Sequence, residues 1–120
     1  MMATLAGFYT KLFETTTENG WNVSVELNSN HKVYEGHFPG KPVAPGAALT
    51  QMVLDEVASR MEEKHLVELR QIKFLSVIDP TQVSNLDLVF EIKERNGLEM
   101  FTCLGKTETT NYFKLNGIFG

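Results

Sequence analysis

The segment from Ala47 to Met61 most constrains how this chain can fold. Its first eight residues carry only two polar side chains, Thr50 and Gln51. A helix that is apolar around most of its circumference must be buried on most of its sides. Polarity rises from Asp55 onward, which indicates that the C-terminal half reaches solvent. We therefore predict one largely buried helix, with a sheet wrapped around it.

Strands are predicted on both sides of this helix in the chain. From Trp21 to Asn28 apolar and polar residues alternate strictly, as in a half-buried strand. Asn96-Gly97 favours a tight hairpin turn, because both of its central residues need a positive φ. A second extended piece is predicted over His31–Phe38, and later strands over Leu69–Ile78, Leu86–Glu94, Leu98–Lys106 and Tyr112–Phe119.

The N-terminal region shows a different spacing. Its apolar residues recur three and four positions apart, which predicts a short amphipathic helix that caps one end of the sheet. The segment Thr15–Gly20 ends it. The residues concerned are Leu5, Phe8, Tyr9, Leu12 and Phe13.

The element order favours an α+β fold with one antiparallel sheet, because the strands after the central helix follow one another without intervening helices. The chain has 120 residues, 42% of them hydrophobic. That size suits one core, so a single domain over residues 1–120 is predicted.

Charge and cysteine content limit the kinds of partner and covalent cross-link that the chain can have. The net charge is -4, and the eleven basic residues are scattered singly, so nucleic acid is not expected as a partner. The lone Cys103 cannot form an internal disulfide. No leader pattern or membrane span is visible in the sequence, and we expect a cytoplasmic protein.

One motif carries chemistry. Residues 36–46 read Gly-His-Phe-Pro-Gly-Lys-Pro-Val-Ala-Pro-Gly and lead directly into the buried helix. The imidazole of His37 has a pKa suited to moving protons at neutral pH. Pro45-Gly46 leaves unbonded N–H groups at the positive end of the helix dipole, where they could polarise a carbonyl.

This motif resembles the active-site motif of the hot-dog-fold 3-hydroxyacyl-[acyl carrier protein] dehydratases. His37, Phe38, Pro39, Pro42, Val43, Pro45 and Gly46 match that family in order and spacing. The resemblance implies a curved antiparallel sheet wrapped around one central helix, with two subunits joined edge to edge. It also implies an acyl carrier protein as partner and no cofactor.

The resemblance also implies residue roles. His37 would remove the α-proton of the acyl thioester, and the Gly46 amide would hold the thioester oxygen. Phe38, Pro45, Ala48 and Asp55 are predicted to contact substrate. An acidic carrier would need local positive charge, for which Lys41, Arg70 and Lys73 are candidates.

Gln51 departs from the family, which has a catalytic carboxylate at this position. An amide cannot release a proton, so dehydration should be slowed without being abolished. Three explanations stand open. His37 could do both proton transfers, the acid could have moved one helical turn to Asp55, or the chain could bind acyl groups without converting them.

No metal site is predicted, because no Cys or carboxylate complements His31 and His37 at a suitable spacing. No nucleotide-binding loop or nucleophilic serine motif is present. The leading interpretation is a dehydratase of 3-hydroxyacyl thioesters. The alternatives are a hot-dog thioesterase and a non-catalytic acyl-binding or dimer-forming subunit.

Overall fold

In the computed structural model, which describes residues 6–35, 42–61 and 66–119, one long helix packs against a six-stranded antiparallel sheet. This arrangement confirms the predicted α+β hot-dog fold. The elements are β1 (Tyr9–Thr16), β2 (Gly20–Leu27), a 3-10 turn (Lys32–Tyr34), α1 (Gly46–Arg60), β3 (Leu66–Phe74), β4 (Asn85–Arg95), β5 (Leu98–Lys106) and β6 (Asn111–Phe119).

The strands lie in the order β1-β2-β4-β5-β6-β3, with β1 and β3 at the two edges. The period-two alternation explains which side chains face the helix. Leu86, Leu88 and Phe90 of β4 are buried, and the residues between them are partly or fully exposed. In β5 and β6 the alternate residues Phe101, Cys103, Phe113 and Leu115 are buried in the same way. One face of the sheet therefore forms the core.

Helix α1 buries one face against this core. Its buried residues recur at three and four residue spacings, as in an amphipathic helix: Ala48, Leu49, Met52, Val53, Glu56 and Val57. Within one chain the opposite side is not covered, because Ala47 is exposed and Gln51 and Leu54 are only half-buried. The predicted burial on most sides is therefore only partly present in a single chain. No helix in the described ranges is long and apolar enough to cross a membrane.

The prediction of an N-terminal helix is wrong. Tyr9–Thr16 forms the edge strand β1, which pairs with β2. A bulge at Leu12 shifts the register, so the apolar residues Leu12 and Phe13 lose their alternation and are 46% and 64% exposed. The residues on the core side include Lys11 and Glu14, so hydrophobic spacing could not reveal the strand.

Polar contacts attach β1 to α1. Glu56 is only 5% exposed, and its carboxylate accepts hydrogen bonds from the Tyr9 hydroxyl and from Lys11 Nζ, the latter at 3.0 Å. Burial, followed by the bond to Glu56, raises the pKa of the Tyr9 hydroxyl above its usual value. The hydrogen bond to Glu56 also raises the pKa of Lys11. Tyr9 and Lys11 thus remain donors at neutral pH.

Glu14 extends this network. It accepts a hydrogen bond from Lys11 at 3.1 Å and another from Arg60, whose guanidinium lies 5.3 Å from the centre of the Trp21 ring. The bond from Lys11, reinforced by Arg60, lowers the pKa of the Glu14 carboxyl. Its stabilising contribution is complete above the ordinary carboxyl pKa and is lost as the pH falls through the lowered one.

Other boundaries differ modestly from prediction. Strand β3 runs from Leu66 to Phe74, so residues 75–78, which were predicted to belong to this strand, lie outside it. Lys32–Tyr34 forms a 3-10 turn where an extended piece was predicted, and residues 36–38 of that piece lie outside the described residues. The hairpin turn at Asn96-Gly97 is confirmed, with φ of 54° and 80°.

Replacing Glu56 by alanine should lower the free energy of unfolding by about 2 kcal/mol, because the Tyr9 hydroxyl and Lys11 lose a buried acceptor. Urea denaturation measures this change. The neighbouring variant Asp55→Ala is the control and should change the free energy by less than about 0.5 kcal/mol, since Asp55 is exposed. Equal effects of the two substitutions would contradict the anchoring role.

Candidate functional site

The N-terminus of α1 opens into a cavity of about 520 Å³. One wall consists of residues 43–46 with Leu49, and the other of residues 74–78. The Ala44 N–H donates to the Ile78 carbonyl at 2.8 Å and joins the two walls. Among the described residues of this lining, Ser76 alone has a polar side chain. The cavity therefore suits an apolar ligand with a polar group at one end.

Backbone donors supply that polar end. Pro45 is the N-cap of α1 and makes no side-chain capping bond. Its carbonyl accepts from the N–H groups of Ala48 and Leu49, at 3.0 and 3.1 Å. The N–H groups of Gly46 and Ala47 have no acceptor within the described part of the chain. These donors and the helix dipole favour a carbonyl or carboxylate oxygen at this position.

Gly46 allows a close approach between the helix and the Phe74 ring. A Cβ atom at this position would lie 2.8 Å from Cζ of Phe74, the aromatic ring on the opposite wall. Only glycine lets the ring and the first turn of the helix touch at this distance. Gly46 and Pro45, both predicted to act on substrate, line the cavity.

Gln51 and Asp55 lie one turn apart on the side of α1 that faces away from the core. The Gln51 Nε2 donates to Asp55 Oδ1 at 2.8 Å. Asp55 is exposed, Gln51 is half-buried, and neither lines the cavity within one chain. Because the carboxylate can only accept, it fixes the amide with its nitrogen toward Asp55.

The other predicted site residues are placed as follows. Ala48 is 1% exposed and packs in the core, and it is not among the cavity residues. His37 and Phe38 lie outside the described residues, as does Lys41. The roles assigned to all of these residues remain predictions.

Sequence reasoning missed the second wall of the cavity. Residues 74–78 were assigned to the end of a strand, but β3 ends at Phe74. The Leu75 and Ser76 N–H groups still donate to the Tyr112 carbonyl of β6, and residues 74–78 pass beside the start of α1. The available signal was the run of apolar side chains directly before Asp79-Pro80, which breaks the period of two. Val77 is 74% exposed and Leu75 54%, so this wall is open to solvent in a single chain.

Tyr34 lies three residues before His37 in the sequence. Its side chain is buried against Phe8, and its hydroxyl has no hydrogen-bond partner among residues 6–35, 42–61 and 66–119. Burial, reinforced by the negative charge of Asp79, raises the pKa of Tyr34 to about 12. The hydroxyl therefore stays protonated at neutral pH.

Two other kinds of chemistry have no support among the described residues. Cys103 is fully buried, and burial raises the pKa of its thiol well above the usual value, so it does not form a thiolate nucleophile. In the described ranges no three His, Cys, Asp or Glu side chains are grouped so that they could hold a metal ion.

The model of the ApeI-like family, described as ApeI dehydratase, matches residues 14–113. The chain belongs to the ApeI-like dehydratase family.

Curated relatives of this ApeI-like chain carry the same kind of name. It is 29% identical over 82 residues to the 3-hydroxyacyl-[acyl-carrier-protein] dehydratase FabZ of Levilactobacillus brevis, covering 62% of this chain and 55% of the relative. It is 28% identical over 87 residues to FabZ of Lactobacillus helveticus, covering 66% of this chain and 58% of the relative. The chain thus spans little more than half the length of these relatives.

Solved structures share the fold. The dehydratase heterocomplex ApeI:P from Xenorhabdus doucetiae superposes with a TM-score of 0.66 at 14% identity, covering 92% of this chain and 96% of the other. An uncharacterized protein from Erwinia carotovora subsp. atroseptica superposes with a TM-score of 0.72 at 16% identity, covering 93% and 95%. At these identities the likeness shows the fold alone.

The cavity predicts the behaviour of Gly46→Ala. The new methyl group must displace the Phe74 ring, so the affinity for decanoate, an apolar chain with a carboxylate end, should fall about tenfold, or ~1.4 kcal/mol. The free energy of unfolding should change by less than about 1 kcal/mol, because the ring is exposed and alanine suits a helix. Calorimetric titration and urea denaturation measure the two quantities.

The matched control for this prediction is Ala47→Ser. It adds one atom at the next helix position, which is exposed and does not line the cavity. It should leave decanoate affinity unchanged. Equal affinity in Gly46→Ala and the unmodified protein would contradict a ligand site at the start of α1.

Proposed function

We propose that this chain is a cytoplasmic dehydratase that removes water from 3-hydroxyacyl thioesters on acyl carrier protein and yields trans-2-enoyl thioesters. One observation carries the proposal: the Gly46 and Ala47 N–H groups, which have no acceptor among the described residues, lie at a mainly apolar cavity. In the sequence, these residues directly follow the motif that contains His37. Membership of a dehydratase family and the names of the FabZ relatives support it.

In the proposed dehydration, Gly46 and His37, at the two ends of the motif, have separate roles. The Gly46 amide holds the thioester oxygen and stabilises the negative charge that develops as the α-proton leaves. His37 accepts that proton. The electron pair of the broken C–H bond forms the C2–C3 double bond as the C3–O bond breaks, and the hydroxyl departs with a proton as water. Removing one such backbone donor typically costs about 3 to 4 kcal/mol of transition-state stabilisation.

Gln51 limits the rate in this scheme. Its amide orients the 3-hydroxyl, and Asp55 holds the amide in place through the 2.8 Å bond. The proton for the leaving hydroxyl then comes from the protonated His37 ring, so one group performs both transfers. General acid catalysis contributes roughly two to four powers of ten, and its loss at position 51 predicts a slow enzyme.

A second subunit completes the site in this proposal. Strand β3 is an edge strand, and the apolar side chains along it and after it are exposed: Ile72 42%, Phe74 49%, Leu75 54% and Val77 74%. A second hot-dog subunit joined at this edge would cover these residues and the open side of α1. We propose a homodimer. Because the ApeI:P structure is described as a dehydratase heterocomplex, a different chain is the alternative partner.

The reaction can be tested by incubating the protein with a 3-hydroxyacyl thioester and weighing the products by mass spectrometry. We expect slow loss of water, which His37→Ala abolishes and Gln51→Glu accelerates by about tenfold or more, because a carboxyl group can donate a proton. Loss of the whole acyl group would instead show a thioesterase, and an unchanged ligand an acyl-binding subunit.

The control for His37 is His31→Ala. His31 Nδ1 accepts a hydrogen bond from the Val33 N–H in the 3-10 turn, outside the cavity. This variant should keep its activity. Asp55→Asn separates the remaining explanations, since complete loss of dehydration in that variant would assign the acid to Asp55. A fully active His37→Ala protein would refute the mechanism.

The dimer edge has its own test. Ile72→Glu places a charge among the exposed apolar side chains of β3, so it should dissociate the dimer into monomers and remove activity. Analytical ultracentrifugation measures the dissociation. Leu12→Glu, on the opposite edge of the sheet and of similar exposure at 46%, should change neither property. Dimers that persist in Ile72→Glu would show that β3 is not the interface.

A further inference from the structure

Strand pairing gathers basic side chains that are scattered in the sequence. Because Cys103 and Leu115 face the core, their neighbours Leu104 and Lys114 lie on the outer face of the sheet. Lys114 is paired with Lys73, and Met100 with Lys93. Five exposed basic residues, here called the basic face, lie on this side of β3, β4 and β6: Arg70, Lys73, Lys93, Arg95 and Lys114.

The charges of the basic face are not balanced by the rest of the fold. Lys73 and Lys114 lie directly opposite each other, an arrangement that destabilises a sheet. In the described ranges none of the five takes part in an ion pair; Glu68 and Glu91 are the acidic residues on the same part of the face. This excess of positive charge lies on a chain whose net charge is -4. An acidic partner would offset the repulsion between these charges.

The basic face contains a groove. Its volume is about 410 Å³, and it lies between Arg70 and Arg95. The apolar side chains of Leu98, Met100 and Ile118 line it, and Leu98 is 48% exposed. Amide side chains, among them Asn116, complete the lining. Apolar residues between two guanidinium groups suit an amphipathic helix that carries carboxylates on both flanks.

Strand β3 connects the basic face to the candidate active site. Lys73 immediately precedes Phe74, whose ring forms part of the cavity wall. Arg70 precedes Phe74 by four residues, which is about 13 Å along a strand. Phe74 pairs with the buried Phe113 and faces the helix. A protein bound across Arg70 and Lys73 would therefore lie on the outer face of the strand that leads to the cavity and would not fill the cavity.

We infer that the basic face is the docking surface for the acidic carrier protein that delivers the acyl chain. This inference rests on the proposed function, because the occupant is identified as the substrate's carrier. The carrier's carboxylates would pair with Arg70 and Arg95, and an apolar side chain of its helix would contact Met100 and Ile118. Such a surface mainly accelerates encounter and sets orientation.

The test compares two substrates in the full-length protein. One is a 3-hydroxyacyl group on acyl carrier protein, and the other is the same acyl group on pantetheine. The double variant Arg70→Glu with Arg95→Glu should raise the KM for the carrier-bound substrate by about tenfold or more and leave the KM for the pantetheine thioester unchanged. Added salt should raise the first KM in the unmodified protein and much less in the variant.

Two control variants test whether the effect depends on the positive charge of the two residues and on their position in the basic face. Arg70→Lys with Arg95→Lys keeps the charge and should keep most of the carrier preference. Lys32→Glu makes the same kind of change at an exposed residue of the 3-10 turn, away from the basic face, and should have no effect. If charge reversal unfolds the protein, as judged by circular dichroism, the glutamine pair replaces it.

The outcomes distinguish this inference from the proposed function. If neither thioester is dehydrated, the proposed function fails, and anisotropy of a fluorescently labelled carrier then measures docking alone. Carrier affinity or KM that is unchanged in the charge-reversed variant would overturn the docking surface while leaving the dehydratase intact. A change of oligomeric state in that variant would overturn it too, because the occupant would then be a second copy of the chain.

Discussion

The apolar side of α1 packs against the inner face of the antiparallel sheet, and this contact determines where every element of the candidate site lies. Truncating buried side chains of this size typically costs about 2 to 5 kcal/mol each. Rotating α1 about its axis would expose these side chains, so their burial fixes which side of the helix faces the sheet. This orientation brings Gly46 to the cavity and turns Gln51 and Asp55 away from the core. The side chains concerned are Leu49, Met52, Val53 and Val57.

The periodicity of apolar residues was sufficient to predict the strands in which every second side chain is buried. The alternation in β2 and β4 and the Asn96-Gly97 turn predicted the central sheet correctly, since every second residue there is buried. It failed at β1, where a bulge and polar inward side chains hide the alternation. The basic face could not be predicted either, because Lys73 and Lys114 are far apart in the sequence and only the strand register places them opposite each other.

Only part of the geometry of the candidate site could be predicted from the sequence. Pro45 and Gly46, which the motif singled out, line the cavity, but the wall after Phe74 became visible only once the end of β3 was known. The roles of the site residues remain predictions. Under the proposed function, the amide at position 51 cannot supply the proton that the leaving hydroxyl needs. The hydrogen bond from Gln51 to Asp55 would let this amide orient the hydroxyl instead.

The central claim is that the first turn of α1 polarises a thioester carbonyl, and infrared spectroscopy measures this directly. A non-reactive acyl thioester labelled with carbon-13 at its carbonyl would be bound to the protein and compared with the same compound in water. The account predicts a lower carbonyl stretching frequency in the bound state, and a smaller shift in Gly46→Ala. A bound frequency equal to or above that in water would contradict it.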